Sequence, residues 1–236
     1  VNTVSSFFGS ELTTYLEKQM AQNKNIVLVM GRPNTGKSSS LRNLPQNRMV
    51  YLNTDLKQLP FADKFLASVE ISDALDVLGY ITDIEDNPNV EGGVLDTLTF
   101  LMGMYERQHV VSSTNTQAAW GNYGNFYRDL IHKIKSGTKD YAILAHEDTK
   151  HNEINMTMET SVPIKGAVGK IGCEADFTTI LSTKQISIKK LEPFENDLLH
   201  ITDDEREDGV KYVFCTRINK DHAGEKMRSA MGLWKR

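Results

Sequence analysis

Short apolar runs alternate with longer segments of helical periodicity through the first half of the chain. Four short segments are predicted to be strands: Ile26 to Met30, Met49 to Leu52, residues 67–71 and Tyr141 to Ala145. The continuous apolar run Ile26 to Met30 is typical of a buried strand. Helix-like segments cover residues 10–23, 37–44, 72–86, 97–107 and 120–135. This alternation predicts an α/β fold with a mostly parallel central sheet flanked by helices.

Local signals suggest where several of these elements begin. Ser72 is the expected N-cap of the helix that continues to about residue 86. Gly92-Gly93 is an expected turn before the short apolar run Val94-Leu95, which ends at Asp96. Residues 108–119 are rich in Ser, Thr, Asn and Gln, and we expect them to form a loop.

The second half of the chain has more strand-like segments, at residues 154–160, 177–183, 185–191 and 210–216. No linker separates the two halves. We therefore expect one domain over residues 1–236, whose sheet is extended by antiparallel strands in the C-terminal half.

Composition narrows the class of protein modestly. Of 236 residues, 39% are hydrophobic and 25% are charged, which suits one sizeable core. No window approaches about 18 uninterrupted apolar residues, and the first residues lack the apolar run of a signal peptide, so we expect a cytoplasmic protein without a membrane span. Cys173 and Cys215 form no metal-binding motif and are expected to be reduced core thiols.

The charge is unevenly distributed. A net charge of −4 argues against a purely electrostatic nucleic-acid binder. Acidic residues dominate 195–208, and we expect a solvated acidic loop over 195–209. Lys and Arg dominate 209–236, which fits either a solvated face or a surface that binds phosphates; composition leaves both open.

One motif carries clear chemistry. Residues 31–38 match the phosphate-binding loop G-x-x-x-x-G-K-[ST] without deviation, between a predicted strand and a predicted helix. In this motif the glycines let backbone N–H groups point at the β-phosphate, the lysine lies near the β and γ oxygens, and the hydroxyl after it coordinates Mg²⁺. We therefore expect ATP and Mg²⁺ to be bound by the motif and the serine after it: Gly31, Arg32, Pro33, Asn34, Thr35, Gly36, Lys37, Ser38 and Ser39.

A second acidic group is needed to hold Mg²⁺. Asp96 ends the run Val94-Leu95, where an acid at the carboxyl end of a neighbouring strand would complete the metal site with Ser38. The alternative for Asp96 is a helix N-cap, because an Asp before a helix is common.

Other polar residues end predicted strands at the same edge of the sheet. Asp55 follows the second strand and is a candidate for orienting or deprotonating the attacking water, or a simple turn residue. His146 and Glu147 follow the strand Tyr141 to Ala145 and are candidates for sensing the γ-phosphate, although a lone histidine is more often structural.

The order of these elements resembles the RecA/RadA recombinase core. More specifically, the chain resembles phage-encoded ATPases that consist of a RecA core alone and act as single-strand annealing recombinases. The stretches that carry the resemblance are residues 31–39, 50–55, 94–101, 141–148 and 164–183. The resemblance implies a RecA-like P-loop NTPase that hydrolyses ATP, binds single-stranded DNA and promotes its annealing, in a host cytoplasm if the protein is phage-encoded.

The resemblance also implies roles for individual residues. Asp55 matches a catalytic glutamate and is one methylene shorter, which argues against fast hydrolysis. His146 or Glu147 matches the polar residue that couples the γ-phosphate to DNA binding. Two DNA-binding loops match residues 108–119 and 148–166, and the lysines implied to meet the DNA backbone are Lys150, Lys165 and Lys170. Trp120, Tyr123 and Phe126 either stack on bases or, at helical spacing, are core or interface residues.

Assembly is part of the same resemblance. Arg217 and Lys220 follow a late strand, where basic residues of the recombinases reach the γ-phosphate of the neighbouring subunit; the alternative is that they are surface cations. A homo-oligomer with ATP at its subunit interfaces is therefore implied, with residues 1–24 as an oligomerisation segment and a single-stranded DNA-binding protein as a further partner. The alternatives are a helicase-like motor or switch ATPase that acts with a protein partner and, with less support, a small-molecule kinase.

Overall fold

The computed structural model describes residues 25–153, 156–216, 218, 224 and 226–229. The predicted N-terminal helix over residues 10–23 lies outside the described residues. Nine strands occur in the described part of the chain: β1 Ile26–Gly31, β2 Met49–Asn53, β3 Ala67–Glu70, β4 Gly92–Asp96, β5 Asp140–His146, β6 Asp148–Asn152, β7 Thr157–Ser161, β8 Thr179–Ser187 and β9 Val210–Cys215. The α-helices described are α1 Lys37–Ser40, α2 Asp76–Asp86, α3 Leu98–Tyr105, α4 Thr116–Ser136, α5 Gly166–Ile171, α6 Ile188–Leu191 and α7 Asp203–Asp208.

Seven strands form one central sheet in the order β3-β2-β4-β5-β1-β8-β9. All neighbours pair in parallel except β9, which runs antiparallel to β8. β6 and β7 form a separate antiparallel hairpin. The prediction of a mostly parallel α/β sheet is confirmed. Only β9 among the described strands extends the sheet in antiparallel fashion, because β8 is inserted parallel to β1.

Alternate residues of the central strands face two different apolar layers. One layer is large and buries α2, α3 and α4 against residues such as Leu28 and Ile143. The other layer lies beside α1 and contains Val29, Tyr51 and Leu144. Strands that are covered on both sides need continuous apolar runs, which explains why β1, β2 and β5 were recognisable in the sequence.

Several predicted boundaries are wrong. The helix predicted over 37–44 is α-helical only to Ser40 and continues as a 3₁₀ turn at Leu41–Asn43. Ser72 is not the cap of α2, which begins at Asp76 after a turn. Gly92 and Gly93 lie inside β4 rather than in a turn. A side chain at Gly92 would collide with the backbone carbonyl of Asp140 on β5, so close strand pairing explains that glycine.

The predicted loop at 108–119 is mostly helical. α3 continues as a π-helical turn at Glu106–Val110, and α4 begins at Thr116 with the Asn115 side chain as its N-cap. The connection between the two helices is therefore short. The Asn115 side chain accepts a hydrogen bond from the Ala118 N–H, so a helix can begin within the polar segment that was predicted to be a loop.

The C-terminal half also departs from expectation. The strands predicted at 177–183 and 185–191 are one strand, β8, followed by the short helix α6. The predicted strand at 154–160 corresponds to β7. The expected acidic loop contains α7, which begins with a reciprocal capping box between Thr202 and Glu205. Among the described residues, no helix is long and apolar enough to cross a membrane. Cys173 is buried, Cys215 is partly buried, and neither forms a disulfide.

Candidate functional site

The phosphate-binding loop joins the end of β1 to the start of α1. Asn34 and Gly36 have positive φ angles of 62° and 93°, so the loop needs residues that tolerate left-handed backbone. Gly31 is required for a different reason. A Cβ there would lie 2.9 Å from the carbonyl oxygen of Thr183 on β8, and closer still to the Thr183 hydroxyl. The loop is thus seated directly on β8, where the hydroxyls of Thr35 and Thr183 are 2.7 Å apart.

Lys37 is buried beneath this loop. Its ammonium donates to the carbonyl oxygens of Gly31 at 2.9 Å and Arg32 at 2.8 Å. Burial lowers the pKa of Lys37, and the negative charges of Asp96 and Glu147 oppose that shift. The ammonium is therefore held where it can exchange carbonyl oxygens for phosphate oxygens.

Ser38 and Asp96 meet at the next position along the loop. The Ser38 hydroxyl donates to Asp96 Oδ2 at 2.8 Å, and the Tyr51 hydroxyl donates to the same oxygen at 3.0 Å. Burial raises the pKa of Asp96, while the hydrogen bonds from Ser38 and Tyr51 lower it. Hydroxyl and carboxylate oxygens are the ligands that Mg²⁺ prefers, so this pair fits the predicted metal site.

The neighbouring residue decides between the two interpretations of Asp96. The N-cap of α3 is Thr97, whose hydroxyl accepts a hydrogen bond from the Phe100 N–H at 3.2 Å. The alternative that Asp96 caps this helix is therefore wrong. The backbone of Asp96 is also tied to the end of β2, since its carbonyl accepts from the Thr54 N–H at 2.8 Å. The peptide bond between Asp96 and Thr97 is cis.

Asp55 lies across the same cleft. Its side chain is 15% exposed, and its charge raises the pKa of Asp96 and opposes the lowering of the pKa of His146. One carboxylate oxygen accepts from the Lys57 N–H at 3.0 Å, and the other lies 3.7 Å from the Lys57 ammonium. The turn role of Asp55 is thus present, and the residue also lines the cleft together with Lys37 and Asp96.

Lys57 is a cleft residue that the sequence did not single out. The buried Asn53 side chain holds this turn, accepting from the Leu56 N–H at 3.0 Å and donating to the Lys57 carbonyl at 2.9 Å. Leu56 itself has φ 59°, which reverses the chain. The Lys57 ammonium consequently lies 5.6 Å from the centre of the Phe100 ring, at the mouth of the cleft. The sequence signal that could have identified it is its position two residues after Asp55, which itself follows a predicted strand.

His146 and Glu147 take different directions from the end of β5. The His146 ring lines the cleft and meets the Phe100 ring edge-on, with centroids 5.3 Å apart. Burial lowers the pKa of His146, as do the cations Lys37 and Lys57, so the ring is neutral at pH 7. Its buried Nδ1 has no hydrogen-bond partner among the described residues. Glu147 turns instead toward β8, where it accepts from the Ser182 hydroxyl at 3.3 Å.

The cleft that unites these groups has a volume of about 260 Å³. Its lining residues come from the phosphate loop, the ends of β2, β4 and β5, and the segment after Asp55: Pro33, Asn34, Gly36, Lys37, Ser38, Ser39, Tyr51, Asp55, Lys57, Gln58, Leu59, Pro60, Asp96, Thr97 and His146. Parallel strands place their carboxyl ends at one edge, which is why residues so distant in sequence converge here.

The predicted DNA-binding segment at 148–166 is not an irregular loop. Its first part is the β6–β7 hairpin, and the Arg32 guanidinium of the phosphate loop donates to the Thr149 hydroxyl of this hairpin at 3.2 Å. Lys150 is exposed, with its ammonium 3.9 Å from Asp148. Lys165 forms an ion pair with Glu106 at 2.8 Å. Lys170 is exposed on α5.

The predicted base-stacking aromatics belong mainly to the core. Tyr123 and Phe126 are 2% and 3% exposed, and Phe126 stacks on Tyr105 with centroids 4.4 Å apart. Trp120 is partly buried and packs against Tyr123. The base-stacking alternative is therefore wrong for Tyr123 and Phe126. Arg217 and Lys220 lie outside the described residues, so their contact with a neighbouring subunit stays a prediction.

A phosphate-binding loop that closes on a buried aspartate at the end of β4 defines a P-loop NTPase. The family model described as "AAA domain" matches residues 23–171, and the chain belongs to this family of nucleotide-binding ATPases. The match includes the phosphate loop, Asp55, Asp96 and His146, and ends before β8. A search of curated proteins finds no match. The family does not specify a recombinase, so recombination stays a prediction.

Proposed function

We propose that this chain is a Mg²⁺-dependent ATPase that uses its nucleotide state to control the β6–β7 hairpin. The observation that carries the proposal is the 2.8 Å hydrogen bond between Ser38 and Asp96, with Lys37 beneath the same loop and Asp55 across the cleft. When bound, Mg²⁺ neutralises charge on the phosphate oxygens. The donor set suits this ion, because both side chains offer hard oxygen atoms.

Each cleft residue has a distinct part in this proposal. The Ser38 hydroxyl and the Asp96 carboxylate would hold the metal, and the hydrogen bond from Tyr51 positions Asp96 for that role. Lys37 contacts the β and γ oxygens. Asp55 orients the attacking water, and its shorter side chain compared with glutamate favours slow turnover.

His146 is the proposed link between nucleotide and hairpin. Its neutral ring lines the cleft that would hold the γ-phosphate, and its buried Nδ1 has no hydrogen-bond partner among the described residues. The hairpin begins two positions later, at Asp148. Arg32 supplies a second link, since it joins the phosphate loop directly to Thr149. A shift at the γ-phosphate therefore has two short routes to the hairpin.

Single-stranded DNA is the first candidate partner of this hairpin, as part of an annealing activity in a homo-oligomer. Lys150 and Lys170 support it, because both ammonium groups are exposed and able to approach a phosphate backbone. Lys165 would first have to leave Glu106. In an oligomer, Arg217 and Lys220 would approach the ATP of the adjacent subunit, and a single-stranded DNA-binding protein would be a further partner.

A protein partner is the second candidate, and the chemistry of the hairpin favours it. The hairpin carries Asp148, Glu153 and Glu159 against the single cation Lys150. Met156 and Met158 are exposed at 77% and 54%. Acidic groups repel a nucleic-acid backbone, whereas exposed methionines suit adaptable protein contacts. In that case the chain is a switch or motor ATPase.

Steady-state hydrolysis tests the enzymatic proposal. We expect Mg²⁺-dependent ATP hydrolysis by the intact chain, its loss in Lys37→Ala, and bound but unhydrolysed ATP in Asp55→Asn. The matched control is Lys64→Ala, an exposed lysine outside the cleft lining. Wild-type turnover in Lys37→Ala would remove the phosphate loop from the mechanism, and normal turnover in Asp55→Asn would place the catalytic base elsewhere.

The same assay with single-stranded DNA, at low and moderate salt, separates the two partners. Stimulation that fades with salt and is lost in Lys150→Ala supports the DNA proposal. Hydrolysis that is indifferent to DNA, together with no DNA binding in a gel-shift assay, contradicts it and leaves the protein partner. Full activity in Arg217→Ala would exclude the role of that residue at an interface.

A further inference from the structure

The edge strand β9 presents two aromatic rings beside the phosphate loop. Tyr212 pairs with Gln185 and Phe214 pairs with Thr183 across the antiparallel ladder. Paired residues of such a ladder have side chains on the same face. The Thr183 hydroxyl contacts Thr35 of the phosphate loop, so this face of the sheet is the one that holds the loop. Phe214 and, two residues away, Tyr212 therefore lie on the phosphate-loop side.

The two faces of β9 are covered very differently. On the opposite face, Val213 and Ile186 pack against a small core of Ile188, Leu191 and Ile201. On the phosphate-loop face, Tyr212 is 55% exposed and Phe214 is 46% exposed. Tyr212 also lies next to Gly36 of the phosphate loop. A Cβ placed on Gly36 would be 4.0 Å from the Cδ1 atom of the Tyr212 ring. The exposed rings of Tyr212 and Phe214 thus form a surface next to the phosphate loop.

The sheet order places these rings on the side of the phosphate loop opposite to the candidate metal site. The groups proposed to surround the γ-phosphate and metal, Asp55 and Asp96, follow β2 and β4 on one side of β1. β8 and β9 lie on the other side of β1. A nucleotide whose γ-phosphate points toward β2 and β4 therefore extends its base toward β9.

We propose that Tyr212, together with Phe214, forms a platform on which the base of the bound nucleoside triphosphate stacks. This inference rests on the proposed function, because the platform meets a base only if the phosphate loop holds the phosphates. Stacking on an aromatic face tolerates different bases, since each base has a π-face. The platform accordingly adds affinity for the nucleoside to the affinity for its phosphates. A second copy of the chain or a base of single-stranded DNA is a competing occupant.

Equilibrium binding of Mg²⁺-ATP and of Mg²⁺-tripolyphosphate tests the platform, because tripolyphosphate has the phosphates without the base. We expect Tyr212→Ala to weaken ATP binding about tenfold and to leave tripolyphosphate binding unchanged. Tyr212→Phe keeps the ring and should bind ATP as the wild type does. Phe194→Ala, an exposed phenylalanine in the segment after α6, is the matched control and should change neither affinity.

The outcomes distinguish failure of the platform from failure of the nucleotide site. Equal weakening of both ligands in Tyr212→Ala, or of neither, overturns the platform while the phosphate loop stands. A wild-type protein that binds neither ligand overturns the proposed function and the platform with it. A change of oligomeric state or of DNA affinity in Tyr212→Ala, with ATP binding intact, assigns this face to a second copy or to DNA and also overturns the platform.

Discussion

Replacing Tyr51 with phenylalanine removes one hydroxyl from the centre of the candidate metal site. The ring should stay in place, because it stacks on Phe65 with centroids 5.2 Å apart and is 3% exposed. What is lost is the hydrogen bond of 3.0 Å to Asp96, a carboxylate that is itself 3% exposed. The change therefore isolates one donor to one buried charge.

The expected loss of stability follows from that geometry. A hydrogen bond to a charged group contributes about 1.5–3 kcal/mol, and no water replaces it easily at this depth. The bond lowers the pKa of Asp96, so it stabilises the ionised carboxylate. Its contribution is present above the pKa of Asp96 and is lost as the pH falls through that pKa. The variant should therefore be least stable relative to wild type at neutral pH and approach it in acid.

A second consequence concerns the metal. Ser38 and Asp96 would hold Mg²⁺ together, and Tyr51 is the other side chain that donates to Asp96 among the described contacts. Losing a group that orients a metal ligand costs about 10–100-fold in metal affinity or activity. The Mg²⁺ concentration for half-maximal ATP hydrolysis should rise in Tyr51→Phe, with little change at saturating Mg²⁺.

Urea unfolding from pH 4 to 8 and a Mg²⁺ titration of hydrolysis measure both effects. Tyr80→Phe is the control, because the Tyr80 ring packs on the core away from Asp96, and a change within about 0.5 kcal/mol is expected. In an Asp96→Asn background, Tyr51→Phe should cost less, since the charge is gone. If Tyr51→Phe resembles Tyr80→Phe in stability at every pH and in its Mg²⁺ midpoint, the argument about Asp96 is refuted.

Three further changes test the cleft. Lys57→Met should weaken ATP binding relative to Lys64→Met, because it removes a cation from the cleft. The effect should be no more than severalfold, since an exposed cation contributes below about 1 kcal/mol. Equal affinities of the two variants would show that Lys57 does not contact the nucleotide. Gly31→Ala should destabilise the fold by about 1–3 kcal/mol, because the added Cβ collides with Thr183 on β8. Gly79→Ala, whose Cβ would lie in open space on α2, should stabilise it by about 0.5–1 kcal/mol. Thermal melts that rank the two variants in the opposite order would contradict this packing argument. The pKa of His146 is lowered on folding, so the wild type should lose stability as pH falls below about 6.5, and His146→Asn should lose less; parallel pH–stability curves would contradict this.

The hairpin and the AAA family match set the order of experiments on function. The family match ends at residue 171, so it includes the hairpin but neither β8 nor β9. Nucleotide binding can be tested first on the intact chain, because the phosphate loop itself rests on β8 through Thr183. Assays with DNA or with a protein partner follow, since both proposed partners depend on the proposed nucleotide switch.

The phosphate loop was predictable because its chemistry is local. Glycine at fixed spacing, a lysine and a hydroxyl act within eight consecutive positions, between a strand and a helix start that each have their own periodicity. The buried strands β1, β2 and β5 were predictable for a similar reason, since strands covered on both faces need apolar runs. Asp55, Asp96 and His146 could be nominated because each lies at or just after the end of a strand, namely β2, β4 and β5.

The tertiary structure decided which of these side chains meet. Ser38 and Asp96 are 58 positions apart, and Tyr51 and Asp96 are 45 apart, so no local pattern indicates their hydrogen bonds. The sequence also left open whether Asp96 caps the following helix or binds the metal. The structure shows that Thr97 is the N-cap. The helical spacing of Tyr123 and Phe126 suited either a DNA-binding surface or the core. The tertiary structure places both side chains in the core.

β9 gives the clearest division between the two sources of information. The sequence predicted a strand at 210–216, which the structure has as Val210–Cys215. Which face carries Tyr212 and Phe214 depends on the register with β8, and β8 in turn is placed by its parallel pairing with β1. Sequence periodicity determines that a strand exists and which residues share a face. Only the order of strands in the sheet determines what that face meets, because strand pairing joins segments more than a hundred residues apart.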